Sequence, residues 1–127
     1  MLLKAALGAR RFVESVRRED GIYQIDDWPR ARGKRGGRVR RINSAVGRLR
    51  VSERLMMGFL DPVEDALFLT AGLRKMGIPA SFHLGRELVP TTPPAGFYAW
   101  VEYGGEVLST SLPVHETYIE VHRSEQG

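Results

Sequence analysis

A chain of 127 residues, 43% hydrophobic and 27% charged, has the length and residue mix of one globular domain. It contains no cysteine, which excludes disulfides, thiolate metal ligation and thiol catalysis and fits a reducing, cytoplasmic setting. Residues 1–50 carry 14 Lys/Arg against 5 Asp/Glu and residues 51–127 carry 5 against 10, so a basic half precedes an acidic one.

The apolar positions Leu3, Leu7, Ala9, Phe12, Val13 and Val16 predict an amphipathic helix over 2–18, with Lys4, Arg11, Arg17 and Arg18 toward water. The apolar part of the first eleven residues is too short for a signal peptide, and no apolar run nears the roughly 20 residues of a membrane span, so no membrane partner is expected. Residues 22–28 are partly alternating and closed by Pro29. Residues 30–37 combine four basic side chains with three glycines and read as a loop. Ile42, Ala45, Val46 and Leu49 mark a second helix over 39–50, and Leu55, Met56, Phe59 and Leu60 an apolar turn after it.

The strongest local signal is Asp61-Pro62-Val63-Glu64. Asp61 suits a helix N-cap, Pro62 the first helical position, and Glu64 the place from which a capping box reaches back. That helix continues on Val63, Ala66, Leu67, Thr70, Leu73 and Met76, favours the cations Arg74 and Lys75 in its last turn, and stops at Gly77-Ile78-Pro79. The period then changes to two. Strands are expected over 80–84, 97–103 and 106–109, with a loop at 88–96, a hairpin turn at Gly104-Gly105 and an edge strand over 117–122. Helices followed by an antiparallel sheet give an α+β class.

The matching stretch runs from Asp61 to His122. It comprises Ala66-Leu67-Phe68-Leu69, Leu73-Arg74-Lys75-Met76-Gly77-Ile78-Pro79-Ala80, Leu84-Gly85, Phe97-Tyr98-Ala99-Trp100-Val101-Glu102 and Gly105-Glu106-Val107-Leu108. In these residues, about half the chain, it resembles the transglutaminase-like leader peptidases of lasso-peptide biosynthesis, the microcin-processing proteins. The resemblance implies a papain-like core over 61–127, with 1–60 as a helical lead-in carrying the basic loop, the whole forming one compact domain. It also implies a Cys-His-Asp site. The cysteine position falls at Pro62, the histidine position at Tyr98, and the acid position at Ser109, Thr110 or Ser111. None of these carries the family's chemistry, so no catalytic residue is expected. The implied role is that of a pseudoenzyme: a protein that binds a leader peptide or partner protein during maturation of a ribosomally made peptide. Its groove would be lined by Asp61, His83, Tyr98, Trp100 and Ser109, and would offer a sheet edge for strand addition.

Each of these residues also has a plainer reading. Tyr98 fits a half-buried sheet aromatic, Trp100 a core residue and Asp61 a cap. His83, His115 and His122 lack the helical i, i+4 spacing of a zinc site and have no neighbouring acidic cluster in sequence, so neither metal nor cofactor is expected. His83 with Glu102 and Ser109 would make a serine triad, but no nucleophile elbow surrounds the serine. This leaves an enzyme with a relocated nucleophile as an alternative. Gly33, Gly36 and Gly37 lack the Gly-Lys-Ser/Thr of a phosphate loop. The basic patch Arg30, Arg32, Lys34, Arg35, Arg38, Arg40 and Arg41 belongs to a run over 30–50 with nine Lys/Arg and no acid. It fits a solvated face, an acidic peptide or protein partner, or a nucleic acid, although it lacks interleaved aromatics for base stacking.

Overall fold

The computed structural model describes residues 2–17, 28–29, 39–88, 96–110 and 112–124. The loop expected at 30–37 and the segment 22–27 lie outside the described residues, as do Arg38 and most of the loop 88–96. The elements run α1 (Leu2–Val16), α2 (Val39–Met57), α3 (Pro62–Lys75), β1 (Ser81–Glu87), β2 (Phe97–Tyr103), β3 (Glu106–Val107), α4 (Val114–Thr117) and β4 (Tyr118–Arg123). The fold is α+β, the described residues forming four helices and an antiparallel sheet ordered β3-β2-β1-β4. None of the described helices is long and apolar enough to cross a membrane.

The α1 stripe differs from the expected one. Ala5, Ala6, Ala9, Phe12, Val13 and Val16 are buried, whereas Leu3 and Leu7 stand exposed. Alanines allow α1 to approach α3 closely, and two bulkier leucines on that face would hold it away. The helix α2 does not end at Arg50 but runs on to Met57, absorbing Leu55 and Met56. Its buried stripe passes from Ile42, Ala45, Val46 and Leu49 to Glu53. A carboxylate in the stripe interrupts the apolar period without interrupting the helix.

The third helix forms as its sequence predicts. Asp61 Oδ1 accepts the Glu64 N–H at 2.8 Å, and Pro62 opens the first turn. The Glu64 side chain pairs with Arg17, just after α1, at 2.6 Å. At the other end the Ile78 N–H bonds the Leu73 carbonyl and the Gly77 N–H the Arg74 carbonyl, a reciprocal pair that closes the last turn. Arg74 is buried there: Nε donates to the Ala80 carbonyl at 2.8 Å, Nη1 to the Pro29 carbonyl at 3.1 Å and Nη2 to Ser124 Oγ at 3.3 Å. Its guanidinium lies over the Trp28 ring, 5.4 Å from the centroid. Trp28 in turn packs between Phe12 and Phe82.

One face of the sheet, with Phe82, Leu84, Ala99, Val101 and Tyr103, packs on α1, α2 and α3 to make the core. Gly104 and Gly105 turn β2 into β3 with φ of 60° and 84°, the paired positive values of a tight hairpin. The opposite face carries Ser81, His83 and Gly85 of β1, Tyr98, Trp100 and Glu102 of β2, and Tyr118 and Glu120 of β4. A register shift between Leu84 and Gly85 resets the pairing of β4. The short helix α4 buries Val114 and brings His115 against Trp100.

Candidate functional site

Two polar clusters stand out. The first lies between the helices. Arg50 reaches Asp65, in the first turn of α3, with Nη2 to Oδ2 at 2.7 Å and Nε to Oδ1 at 3.3 Å. The same Nη2 donates to the Ser109 carbonyl at 2.5 Å. The hydrogen bond to Asp65 raises the Arg50 guanidinium further above its ordinary value despite burial, and the charges of Asp65, Glu53 and Tyr98 add to this. Glu53, only 3% exposed, is the third member. Burial, then its hydrogen bond to Asp65 and that neighbour's charge, push its carboxyl up to about 9. Its Oε1 has no hydrogen-bond partner among the described residues.

Two of the positions that the family resemblance singles out, Pro62 and Ser109, lie beside this cluster, while Tyr98 is on the outer face of the sheet. Pro62 sits three residues before Asp65 on the same helix face. Tyr98 lies within electrostatic reach of Arg50, and Ser109 is joined to Arg50 through its carbonyl. Each does structural work. Pro62 opens α3, Tyr98 stacks on Tyr118 at 5.3 Å, and the buried Ser109 Oγ accepts the Val101 N–H at 3.0 Å. Burial, aided by Glu87 and Tyr98, holds the Tyr118 phenol above its usual range. Arg50, Glu53 and Asp65 went unnoticed in sequence because charged residues in helices ordinarily face water.

The second cluster occupies the outer face of the sheet. His83 is buried and stacks on Trp100, ring centroids 5.8 Å apart and planes 9° apart. Ring nitrogen Nδ1 contacts Glu120 Oε1 and lies 3.8 Å from Glu102 Oε2, while Nε2 lies 2.7 Å from Ser81 Oγ. Glu102 Oε2 also accepts the Trp100 indole N–H at 2.7 Å and faces His115 Nε2 at 3.1 Å. Burial works against the charge of Glu120, but hydrogen bonds from His83 and Arg123 outweigh it and hold this carboxyl below its ordinary value. Gly85 makes the arrangement sterically possible: a Cβ there would meet Trp100 Cζ3 at 2.7 Å and Tyr118 Cβ at 2.8 Å.

The expected absence of an acidic cluster around the histidines is corrected here. Strand pairing brings His83, Glu102 and Glu120 together from positions up to 37 residues apart, with His115 beside them. His122 is not part of the group and packs against Phe82. The suggested triad of His83, Glu102 and Ser109 does not assemble, since Ser109 caps a backbone N–H elsewhere. Ser81, His83 and Glu120 do have the connectivity of a triad. Ser81 is only 5% exposed and sits two residues from His83 on one strand, where no acyl group can approach it. Of the expected groove residues, His83, Trp100 and Tyr98 share this outer face, while Asp61 and Ser109 lie toward the first cluster. Of the basic patch, Arg40 and Arg41 begin α2, and Arg30, Arg32, Lys34, Arg35 and Arg38 lie outside the described residues. No family model matches the chain, and neither a curated protein nor a solved structure does.

Proposed function

We propose that the chain is a catalytically inactive transglutaminase-like protein, related to the lasso-peptide leader peptidases, that binds a peptide or partner protein in ribosomal peptide maturation. The observation that carries this reading is the Arg50–Asp65 ion pair. It lies beside two of the positions that the resemblance singles out: Asp65 is three residues after Pro62, and Arg50 bonds the Ser109 carbonyl. A thiolate site needs a nucleophile and a base facing open space. Here that space holds a half-buried arginine bridging a carboxylate and a carbonyl, and the chain has no cysteine.

The surface offered to a peptide is the outer edge of β4, which no described strand pairs. It presents six residues, with Ile119 and Val121 exposed. An extended peptide adding there would gain main-chain hydrogen bonds, with alternate side chains meeting these apolar groups. The experiment is titration of a synthetic lasso-peptide leader segment, followed by fluorescence anisotropy and by mass spectrometry for cleavage. Saturable binding of an intact peptide is expected, with Ile119→Lys weakening it. Cleavage sensitive to iodoacetamide, or absence of binding, would overturn the reading. Binding of DNA or RNA oligomers that collapses steeply with salt would favour the nucleic-acid alternative.

A further inference from the structure

We propose that His83, Glu102, Glu120 and His115 form a binding site for a divalent transition-metal ion, zinc(II) in the first place, that ties α4 and the edge strand β4 to β1 and β2. Donor atoms of His83, Glu102 and Glu120 all lie within 4.8 Å of one another, and His115 Nε2 is 3.1 Å from Glu102 Oε2. In a tetrahedral site with bonds of about 2.0 Å, adjacent donors stand roughly 3.3 Å apart. The Glu102–His115 and Glu102–His83 separations of 3.1 and 3.8 Å bracket that edge. Two imidazoles with two carboxylates suit zinc better than calcium or magnesium, which take oxygen alone.

The hydrogen bonds around His83 supply the second observation. Ser81 Oγ lies 2.7 Å from His83 Nε2 and 3.4 Å from the Glu102 carbonyl, so the ring is held through Nε2. This aims Nδ1 at the carboxylates of Glu120 and Glu102. A buried imidazole nitrogen and two carboxylates converging in a largely buried place suit a cation between them. A proton on Nδ1 answers Glu120 alone, whereas a divalent ion answers Nδ1, both carboxylates and His115 together. The surroundings are those of a metal site: Ser81 orients the ring, Trp100 Nε1 orients Glu102, and Arg123 holds Glu120 Oε2 at 2.6 Å, leaving Oε1 toward His83. With four protein donors the site is closed, which marks a structural ion rather than one that activates water.

The test is titration of the full, tag-free chain with zinc(II) alone, by calorimetry and thermal unfolding. One equivalent should bind and raise Tm. The readout that needs no variant is cobalt(II) substitution, which should give the intense visible absorption of tetrahedral coordination. His115 is 60% exposed at its side chain, so His115→Ala should fold normally. It should lose at least about tenfold in zinc affinity, as should Glu120→Gln, and Ser81→Ala should lose about tenfold through ring orientation. His122→Ala should bind as tightly as wild type. The proposal is overturned by a wild-type chain that takes up no zinc, by a weak octahedral cobalt spectrum, or by equal losses in the His115 and His122 variants.

Discussion

Replacing Glu53 by Gln isolates the most costly side chain in the fold. The carboxyl is 3% exposed and is pushed up to about 9 from an ordinary 4.5. At pH 7 the folded chain therefore holds a proton that the unfolded chain releases. That proton is taken up 2.5 pH units above the unfolded value of 4.5, at about 1.4 kcal/mol per unit, which gives roughly 3 kcal/mol. Solvent reaching Arg50 and Asp65, whose side chains are 30% and 17% exposed, lowers this to about 1–3 kcal/mol. Glutamine keeps the shape, can still donate to Asp65 and has no proton to acquire. Glu53→Gln should thus stabilise the protein by that amount at pH 7. The sign with pH follows from the raised value. The folded state binds the extra proton between the two pKa values, so the Glu53 contribution is intact below about 4.5 and declines as pH rises toward 9. Urea unfolding at pH 5 and pH 8 measures this directly. The advantage of the variant over wild type should grow by about 2–4 kcal/mol across that interval. An advantage that stays constant with pH, or a variant less stable than wild type at pH 7, would refute a protonated, poorly satisfied Glu53.

Three further predictions concern other parts of the chain. Asp61→Ala should cost about 0.5–2 kcal/mol in urea unfolding through loss of the α3 cap, and leave peptide binding unchanged. Gly85→Ala should cost about 1–3 kcal/mol, because the new methyl meets Trp100 and Tyr118 below 3 Å, and the near-ultraviolet circular dichroism of those rings should change with it. Pro62→Cys alone should yield no thiol-dependent cleavage of a leader peptide, since under the proposed correspondence Tyr98 takes the place of the imidazole. Adding Tyr98→His should at most restore weak activity, as the orienting acid is absent and Arg50 remains in place.

Features set by neighbouring residues were legible in sequence. The Asp61 cap, the Gly77 stop, the strand 97–103 and the Gly104-Gly105 turn each depend on a few consecutive side chains, and each appears where expected. The continuation of α2 was hidden because its inward stripe includes Glu53, which periodicity counts as a surface residue. The inward face of α1 was misassigned because hydropathy favours leucine over alanine, whereas close helix packing favours the smaller side chain. The outer-face cluster was beyond sequence reading for a different reason. His83, Glu102 and Glu120 meet only through the pairing of β1 with both β2 and β4, and the shift at Leu84/Gly85 alters which β4 residue lies beside β1. No spacing rule encodes a register shift. The assignments at 62, 98 and 109 came from resemblance, and the Arg50 ion pair beside 62 and 109 involves a helix the resemblance matched only loosely.

The guanidinium of Arg74 couples parts of the chain that would otherwise open separately. It bonds residues 45 and 50 positions away, at Pro29 and Ser124, and Ala80 just before β1. Ser124 and Phe82 lock reciprocally, each backbone N–H bonding the other residue, so the end of the edge strand is fastened where β1 begins. Peeling β4 away therefore strips an acceptor from Arg74 and uncovers the indole of Trp28 beneath it, and the loss spreads to the end of α3. Amide exchange at Phe82, Ser124 and the last turn of α3 should then proceed through one shared opening rather than by fraying of an edge. An edge strand secured in this way can present its free side to a partner while its other side stays in register.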